Sequence, residues 1–76
     1  MTLKEWTEMF GENLSELMEE RHMTQRDLAK ASNLSIGSIN SYINSQSPPG
    51  VKAIINLSYA LDVDVAELLD FGDIIE

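Results

Sequence analysis

Residues 24–44 read TQRDLAKASNLSIGSINSYIN, and this stretch decides the fold. Thr24 can cap a helix in which Asp27 occupies the third position, which is a short form of the capping box. We therefore predict a helix over residues 25–32. Its inward side chains are small or aliphatic, and they are Leu28, Ala29 and Ala31.

The second half of the stretch predicts another helix after a very short turn. Asn33 tolerates the left-handed conformation in which many helices end. Ser35 can then cap a helix over residues 36–44. The inner face of that helix is apolar, with Ile39, Tyr42 and Ile43.

This spacing is typical of a helix-turn-helix unit at about residues 24–44. Two helices joined by so short a turn must cross steeply, and the second then projects a face that fits a DNA major groove. The crossing needs a small residue in the first helix, a turn residue that tolerates the left-handed region and an apolar anchor. Ala29, Asn33 and Ile39 meet these three needs.

The flanking sequence predicts three further helices. Trp6, Phe10, Leu14, Leu17 and Met18 form an apolar stripe at helical spacing, so a first helix runs from near Leu3 to near His22. The segment SQSPPG, residues 45–50, cannot continue a helix. A fourth helix over residues 51–61 and a short fifth helix capped by Asp64 follow. Their predicted core residues are Ile54, Ile55, Leu57, Ala60, Leu61, Val65, Leu68 and Leu69.

The whole chain therefore reads as one all-α domain of five helices over residues 1–76. No segment alternates apolar and polar residues as a strand would. The chain has no cysteine and one histidine, which argues against disulfides and metal centres and suits the cytoplasm. We expect no cofactor, no membrane span and no enzyme, because neither a catalytic triad nor a phosphate-binding glycine loop is present.

The net charge of −8 argues against binding to nucleic acid, but the charge is unevenly distributed along the chain. Residues 1–20 hold one Lys and six Glu, giving −5, and residues 62–76 hold six acids and no base, giving −6. Residues 21–61 hold two Arg, two Lys and one Asp, giving +3. Phosphate contact by the middle of the chain is therefore possible, although long-range attraction to DNA is weak.

Several motifs resemble the lambda-repressor-like helix-turn-helix family, which includes phage repressors, Cro proteins and Xre-type bacterial regulators. They are TQRDLA at 24–29, the LS before the third helix, the Asn that ends it, and ALDVDVAELL at 60–69. Upstream, GENLSELMEERHMTQ resembles the first helix of the family, so the likeness covers roughly residues 10–70. The resemblance implies a five-helix DNA-binding fold and a regulator of transcription.

The resemblance also implies roles for individual residues. Gln25 matches a residue that binds a phosphate and braces the reading helix, and Asn44 matches one that holds phosphate through its amide. Ser35 matches a position that touches backbone or base, and Gln46 one that lies near the backbone. Positions that face base edges are matched by Ile36, Gly37 and Ser41.

Other candidate contacts follow from side-chain chemistry. Arg26 and Lys30 can reach phosphates. Ser38 and Asn40 can hydrogen-bond to bases, and Asn40 suits adenine. Residues 35–46 contain no Arg or Lys, and Ile36 can only touch a thymine methyl group. Direct base contacts are therefore few, and we expect weak or salt-sensitive DNA binding.

One departure from the family concerns packing. The family often pairs an Arg late in the first helix with a Glu late in the third, and these positions here are Met18 and Ile43. Both partners are apolar, so no unpaired charge is left buried.

Two functional interpretations remain open. The first is a sequence-specific regulator that binds operator DNA, as a homodimer on a palindromic site. The second is a helix-turn-helix fold used for contact with another protein, as in an antitoxin, antirepressor or regulator-binding protein. A dimer contact through Phe71, Ile74 or Ile75 is possible, and a core role for Phe71 is equally consistent with the sequence.

Overall fold

The computed structural model describes residues 1–70, and this part of the chain is all-α, as predicted. Its five helices are α1 Leu3–Glu20, α2 Gln25–Ser32, α3 Ile36–Ile43, α4 Val51–Leu61 and α5 Val65–Leu68. Two predicted ends are corrected. The first helix stops at Glu20, before His22, because His22 adopts a left-handed φ of 54°. The third stops at Ile43, with Asn44 as its C-cap.

The predicted helix starts at Thr24 and Ser35 are confirmed. The Asp27 backbone N–H donates to Thr24 Oγ1 at 3.0 Å, and the Thr24 N–H donates to the Asp27 carboxylate at 3.0 Å. The Ser38 N–H donates to Ser35 Oγ at 3.0 Å. Asp64 stands at the N-cap of α5 but makes no side-chain capping hydrogen bond, which corrects its predicted role.

A residue with a left-handed backbone follows each of helices α1 to α4 within two positions, and none of these residues is glycine. They are His22, Asn33, Ser45 and Asp62. At the turn between α2 and α3, Asn33 has φ 60° and ψ 30°, as predicted for that position. The next N–H, from Leu34, donates to the Ala29 carbonyl at 3.1 Å. This bond satisfies a carbonyl at the end of α2 and turns the chain sharply into α3.

The core draws on all five helices. Within residues 1–70, seven large side chains are fully buried, namely Phe10, Leu14, Leu28, Ile39, Leu57, Leu61 and Leu68. The Phe10 ring stacks on Trp6, with ring centres 5.5 Å apart, and meets the Tyr42 ring edge-on at 6.2 Å. Helix α3 is therefore anchored by Ile39 and by this aromatic group, while its other side remains outside the core.

Gly11 sets how closely α1 approaches the end of α3. A Cβ atom at this position would lie 2.6 Å from the Tyr42 carbonyl oxygen and 3.0 Å from that of Ile43. Both atoms belong to the backbone, so no side-chain rotation can make room for a methyl group. The last turn of α3 therefore rests directly on the backbone of α1.

Three predicted core residues are exposed instead, namely Ala31, Ile55 and Val65. Helix α4 buries Ala53, Leu57 and Leu61, and Ile55 points away from that row. The α5 helix has only four residues and buries Leu68 alone. Phe71, Ile74 and Ile75 lie outside the described residues.

Two polar side chains, one from the middle of α1 and one from its C-cap, hydrogen-bond to the carbonyls that end α5 and α4. Arg21 Nε donates to the Leu61 carbonyl at 2.5 Å, and Asn13 Nδ2 donates to the Leu68 carbonyl at 2.5 Å. A cation at the end of α4 also complements the negative end of that helix. Arg21 is thus engaged within the fold. Within residues 1–70, no helix combines the length and the apolar character that crossing a membrane requires.

Candidate DNA-binding surface

Gln25 occupies the first position of α2, and the capping box at Thr24 fixes that position. The hydrogen bond from the Thr24 backbone N–H lowers the pKa of the Asp27 carboxyl below its ordinary value, and the Thr24 side chain adds to this effect. Gln25 itself is half-buried, and its Oε1 accepts a hydrogen bond from Asn40 Nδ2 at 3.3 Å. The start of α2 is therefore linked directly to the outer face of α3.

A second hydrogen bond continues this link along α3. Asn44 Nδ2 donates to Asn40 Oδ1 at 3.0 Å, so Gln25, Asn40 and Asn44 form a connected series that we call the amide chain. Within residues 1–70, Gln25 Nε2 and Asn44 Oδ1 make no hydrogen bond of their own. The amide chain thus fixes three side chains while leaving a donor at one end and an acceptor at the other.

The exposed face of α3 contains four of the predicted contact residues, namely Ile36, Gly37, Asn40 and Asn44. Ile36 is 49% exposed, so its side chain is available for contact on this face. A Cβ at Gly37 would meet only Ser35 Oγ, at 3.9 Å, so this part of the face is open. This face carries no charge, and Ile36 is its one large apolar side chain.

The three serines differ from one another. Ser35 is exposed, and its hydroxyl donates to Ser38 Oγ at 2.9 Å in addition to capping α3. Ser38 and Ser41 are half-buried. The structure therefore places Ser35 and Ser38 together at the start of α3, and Ser41 at the margin of the exposed face.

Arg26 and Lys30 are exposed one turn apart on α2, and neither forms an ion pair within residues 1–70. Gln46 is exposed in the segment that follows α3. Lys52, in the first turn of α4, is also exposed, and the sequence analysis did not select it as a contact. The sequence feature that could have identified Lys52 is its position in the net-positive segment, residues 21–61.

The acidic residues of α1 lie on the exposed side of that helix. All six are exposed, namely Glu5, Glu8, Glu12, Glu16, Glu19 and Glu20, and they follow the side of α1 opposite its buried residues. Helix α3 packs against the buried side of α1. One of these glutamates, Glu19, lines the same open groove as Gln25, so the amide chain has an acidic neighbour at that end.

Met18 and Ile43 lie beside Gln25, the first member of the amide chain. Met18 is 6% exposed, and with Ile43, Met23 and Gln25 it lines an open groove of about 320 Å³. Every buried side-chain nitrogen and oxygen within residues 1–70 has a hydrogen-bond partner. The apolar pair therefore leaves no polar group stranded beneath the surface.

Sequence reasoning named all three members of the amide chain, and the family resemblance implied that Gln25 braces the reading helix, but it did not identify Asn40 as the residue that Gln25 contacts. The available signal was Asn40 and Asn44, four residues apart and hence neighbours on one helix face. The link to Gln25 spans fifteen positions and depends on the crossing of α2 and α3. No spacing rule within one helix predicts that contact.

Comparison with known proteins agrees with this geometry. The profile of the helix-turn-helix family matches residues 14–68. The crystal structure of the restriction-modification controller protein C.AhdI from Aeromonas hydrophila is similar, with a TM-score of 0.79 and 29% sequence identity. The likeness covers 82% of this chain and 94% of that one. No curated protein sequence matches. The chain therefore belongs to the lambda-repressor-like helix-turn-helix family of DNA-binding transcriptional regulators.

Proposed function

We propose that the protein is a cytoplasmic transcriptional regulator of phage or bacterial type that binds operator DNA sequence-specifically through α3 in the major groove. The observation that carries the proposal is the amide chain, which joins α2 to the exposed face of α3 and leaves hydrogen-bonding groups unused at both ends. Similarity to a restriction-modification controller protein supports a regulatory role.

The two ends of the amide chain suit different tasks. Gln25 Nε2 donates to a phosphate oxygen while Gln25 Oε1 holds Asn40. Asn40 then reaches the base edges with its orientation already fixed, and it has one N–H and one oxygen lone pair left for adenine. Asn44 contacts phosphate at the far end of the helix. Fixing these side chains before binding lowers the conformational entropy lost on the DNA.

The remaining proposed contacts surround the amide chain. Arg26 and Lys30 neutralise phosphates beside α2. Ile36 packs on a thymine methyl group, and Gly37 lets the duplex approach α3 closely. The other proposed contacts are polar, namely Ser35, Ser38, Ser41 and Gln46. With so few direct base contacts, shape-dependent recognition of the duplex contributes to specificity.

A single copy offers only an eight-residue helix to the groove. We therefore propose that two copies bind a palindromic operator, with half-sites roughly 34 Å apart along the duplex. Doubling the contact surface compensates for the small number of contacts that one copy makes.

An NMR titration tests the DNA-binding surface. Labelled protein is titrated with mixed-sequence duplex DNA at low and then moderate salt. We expect shifts of amide resonances within residues 25–30 and 35–46 that fade as salt rises. Absence of any shift at low salt would contradict the proposal and favour the protein-contact interpretation, which a pull-down would then pursue.

Two substitutions of Gln25 distinguish its proposed phosphate contact from its hydrogen bond to Asn40. Gln25→Ala should weaken DNA binding about tenfold and leave the melting temperature nearly unchanged, since the side chain is half-exposed. Gln25→Glu keeps an acceptor for Asn40 but loses the N–H donor and adds a charge facing phosphate. It should therefore bind more weakly still.

The matched control for these variants is Asn56→Ala, which removes another half-buried amide from α4, outside the proposed surface. Binding is measured by fluorescence anisotropy at fixed salt. If Gln25→Glu bound DNA as well as the native protein, Gln25 would not contact phosphate.

A further inference from the structure

The exposed face of α3 begins with an aliphatic side chain, that of Ile36. Its place at the start of the helix is fixed by Ser35, whose Oγ accepts a hydrogen bond from the Ser38 N–H at 3.0 Å. A Cβ at Gly37 would meet nothing closer than Ser35 Oγ at 3.9 Å, so the space beside Ile36 is open. Because Ile36 is 49% exposed, about half of its surface is free to contact a group that approaches this end of α3.

Ile36 and Gly37 have no hydrogen-bonding side chain, and residues 35–46 contain no Arg or Lys. In the major groove, base pairs present hydrogen-bond donors and acceptors, and the one apolar group among them is the C5-methyl group of thymine. Burying a methyl group against an aliphatic side chain is favourable, whereas burying a donor or an acceptor there without a partner is costly. Ile36 therefore favours a C5-methyl group over the other groups of the major groove.

Thymine shares this group with a modified base, 5-methylcytosine. The methyl group of 5-methylcytosine is attached to the same ring carbon, so it occupies the same place in the major groove. The two bases differ at the neighbouring C4 substituent, which is an acceptor oxygen in thymine and a donor amino group in cytosine. A hydrogen-bonding side chain is needed to distinguish these substituents, and Ile36 has none.

We propose that Ile36 makes the protein recognise C5-methylated pyrimidines. A pair of 5-methylcytosine with guanine is then accepted in place of one thymine–adenine pair of the operator, and unmethylated cytosine is rejected. This preference depends on the proposed function, because α3 must lie in the major groove for Ile36 to reach a base. The affinity for a site that contains cytosine at this position then responds to methylation of the DNA.

Asn40 indicates where the methylated base lies in the operator. Ile36 and Asn40 are four residues apart and hence neighbours on one face of α3. Four residues of helix span about 6 Å, which is close to two base-pair steps of about 3.4 Å each. Asn40 is proposed to bind adenine, so we expect the methylated pyrimidine within about two base pairs of that adenine.

The test begins with an operator that the full chain selects from random-sequence duplexes. Each thymine is then replaced in turn by uracil, which pairs with adenine in the same way and lacks only the methyl group. Binding is measured by fluorescence anisotropy at fixed salt. At one or more thymines, the replacement should raise the dissociation constant about fourfold, the effect expected from the loss of one buried methyl group.

The second step compares cytosine with 5-methylcytosine at the thymine so identified. Changing that pair to cytosine–guanine should weaken binding, and methylating the cytosine at C5 should strengthen it again about fourfold. The two cytosine duplexes differ only in one methyl group, so contacts to the opposite base cancel in the comparison.

Ile36→Ser assigns the effect to this side chain. The variant should bind the thymine and uracil duplexes equally, and likewise the cytosine and 5-methylcytosine duplexes. The matched control is Ile55→Ser, which shortens another exposed isoleucine, 43% exposed, on α4. It should keep the native ratio of affinities between methylated and unmethylated duplexes. Both side chains are exposed, so both variants should keep nearly the native melting temperature.

Three results would overturn the proposed methyl recognition and leave DNA binding by α3 standing. They are the absence of any thymine at which uracil weakens binding, an unchanged methyl dependence in Ile36→Ser, and equal binding of cytosine and 5-methylcytosine. Failure of the proposed function gives a different result, in which no sequence is enriched from the random duplexes. That result would overturn both proposals.

Discussion

At the scale of single residues, two helical glycines have opposite requirements. Gly11 lies where a Cβ would stand 2.6 Å from the Tyr42 carbonyl oxygen, whereas Gly37 faces open space. Glycine within a helix costs about 1 kcal/mol relative to alanine. Close packing against α3 requires glycine at position 11, whereas nothing near position 37 requires it.

Gly11→Ala should therefore destabilise the protein by about 1–2 kcal/mol, because the clash with the α3 backbone outweighs the better helix propensity. Urea unfolding followed by circular dichroism measures the change. Since α3 must move to admit the methyl group, DNA binding should fall as well.

Gly37→Ala is the matched comparison and should stabilise the protein by about 0.5 kcal/mol, since the same methyl group meets nothing closer than 3.9 Å. Equal effects at the two sites would show that propensity alone governs both glycines. The close approach of α1 to α3 would then have no energetic consequence.

At the scale of the element, the start of α2 depends on the ionisation of one carboxylate. The hydrogen bonds from Thr24 lower the pKa of Asp27 in the folded protein, so folding favours the charged form. The resulting stabilisation is present at neutral pH and is lost as the pH falls through this lowered pKa. The helix that places Gln25 is thus weakened by acid.

Asp27→Asn should remove part of this pH dependence. Its stability should lie below that of the native protein at pH 7, and the two should converge as the pH falls below the lowered pKa of Asp27. Melting temperatures measured from pH 7 to pH 2.5 provide the comparison. Asp64→Asn serves as the control, because the Asp64 side chain makes no capping hydrogen bond, and its curve should run parallel to the native one.

At the scale of the whole molecule, charge separation reconciles a net charge of −8 with binding to a polyanion. The glutamates of α1 lie on the side of that helix away from the core, and Arg21 is engaged with Leu61. The exposed cations of the middle block are therefore Arg26, Lys30 and Lys52. Few counterions are released when so few cations reach phosphates.

The salt dependence of DNA binding should reflect this small number. Arg26→Gln should reduce the slope of log K against log salt by about one and weaken binding to all sequences alike. Glu12→Gln changes the exposed side of α1, opposite its buried residues. It should leave the slope unchanged while raising the affinity for DNA slightly. An unchanged slope for Arg26→Gln would show that Arg26 makes no phosphate contact.

The sequence by itself determined the five helices, the starts of α2 and α3 and the left-handed turn at Asn33. These features depend on neighbours within a few positions, where capping, helical spacing and breaker residues act directly. The same local signals indicated the family and the residues of the proposed DNA surface. Helix ends were less accurate, since neither glycine nor proline marks the end of α1 and the left-handed residue that follows it is His22.

Only the tertiary structure decided which apolar face of each short helix is buried. Ile54 and Ile55 are adjacent and equally apolar, yet Ile54 packs against the core and Ile55 is exposed to solvent. The difference depends on how α2 and α5 sit against α4, and helix periodicity does not contain that information. The link between Gln25 and Asn40 likewise exists only because two helices cross, since hydrogen bonds over about 3 Å require an arrangement in space that spacing along the chain does not specify.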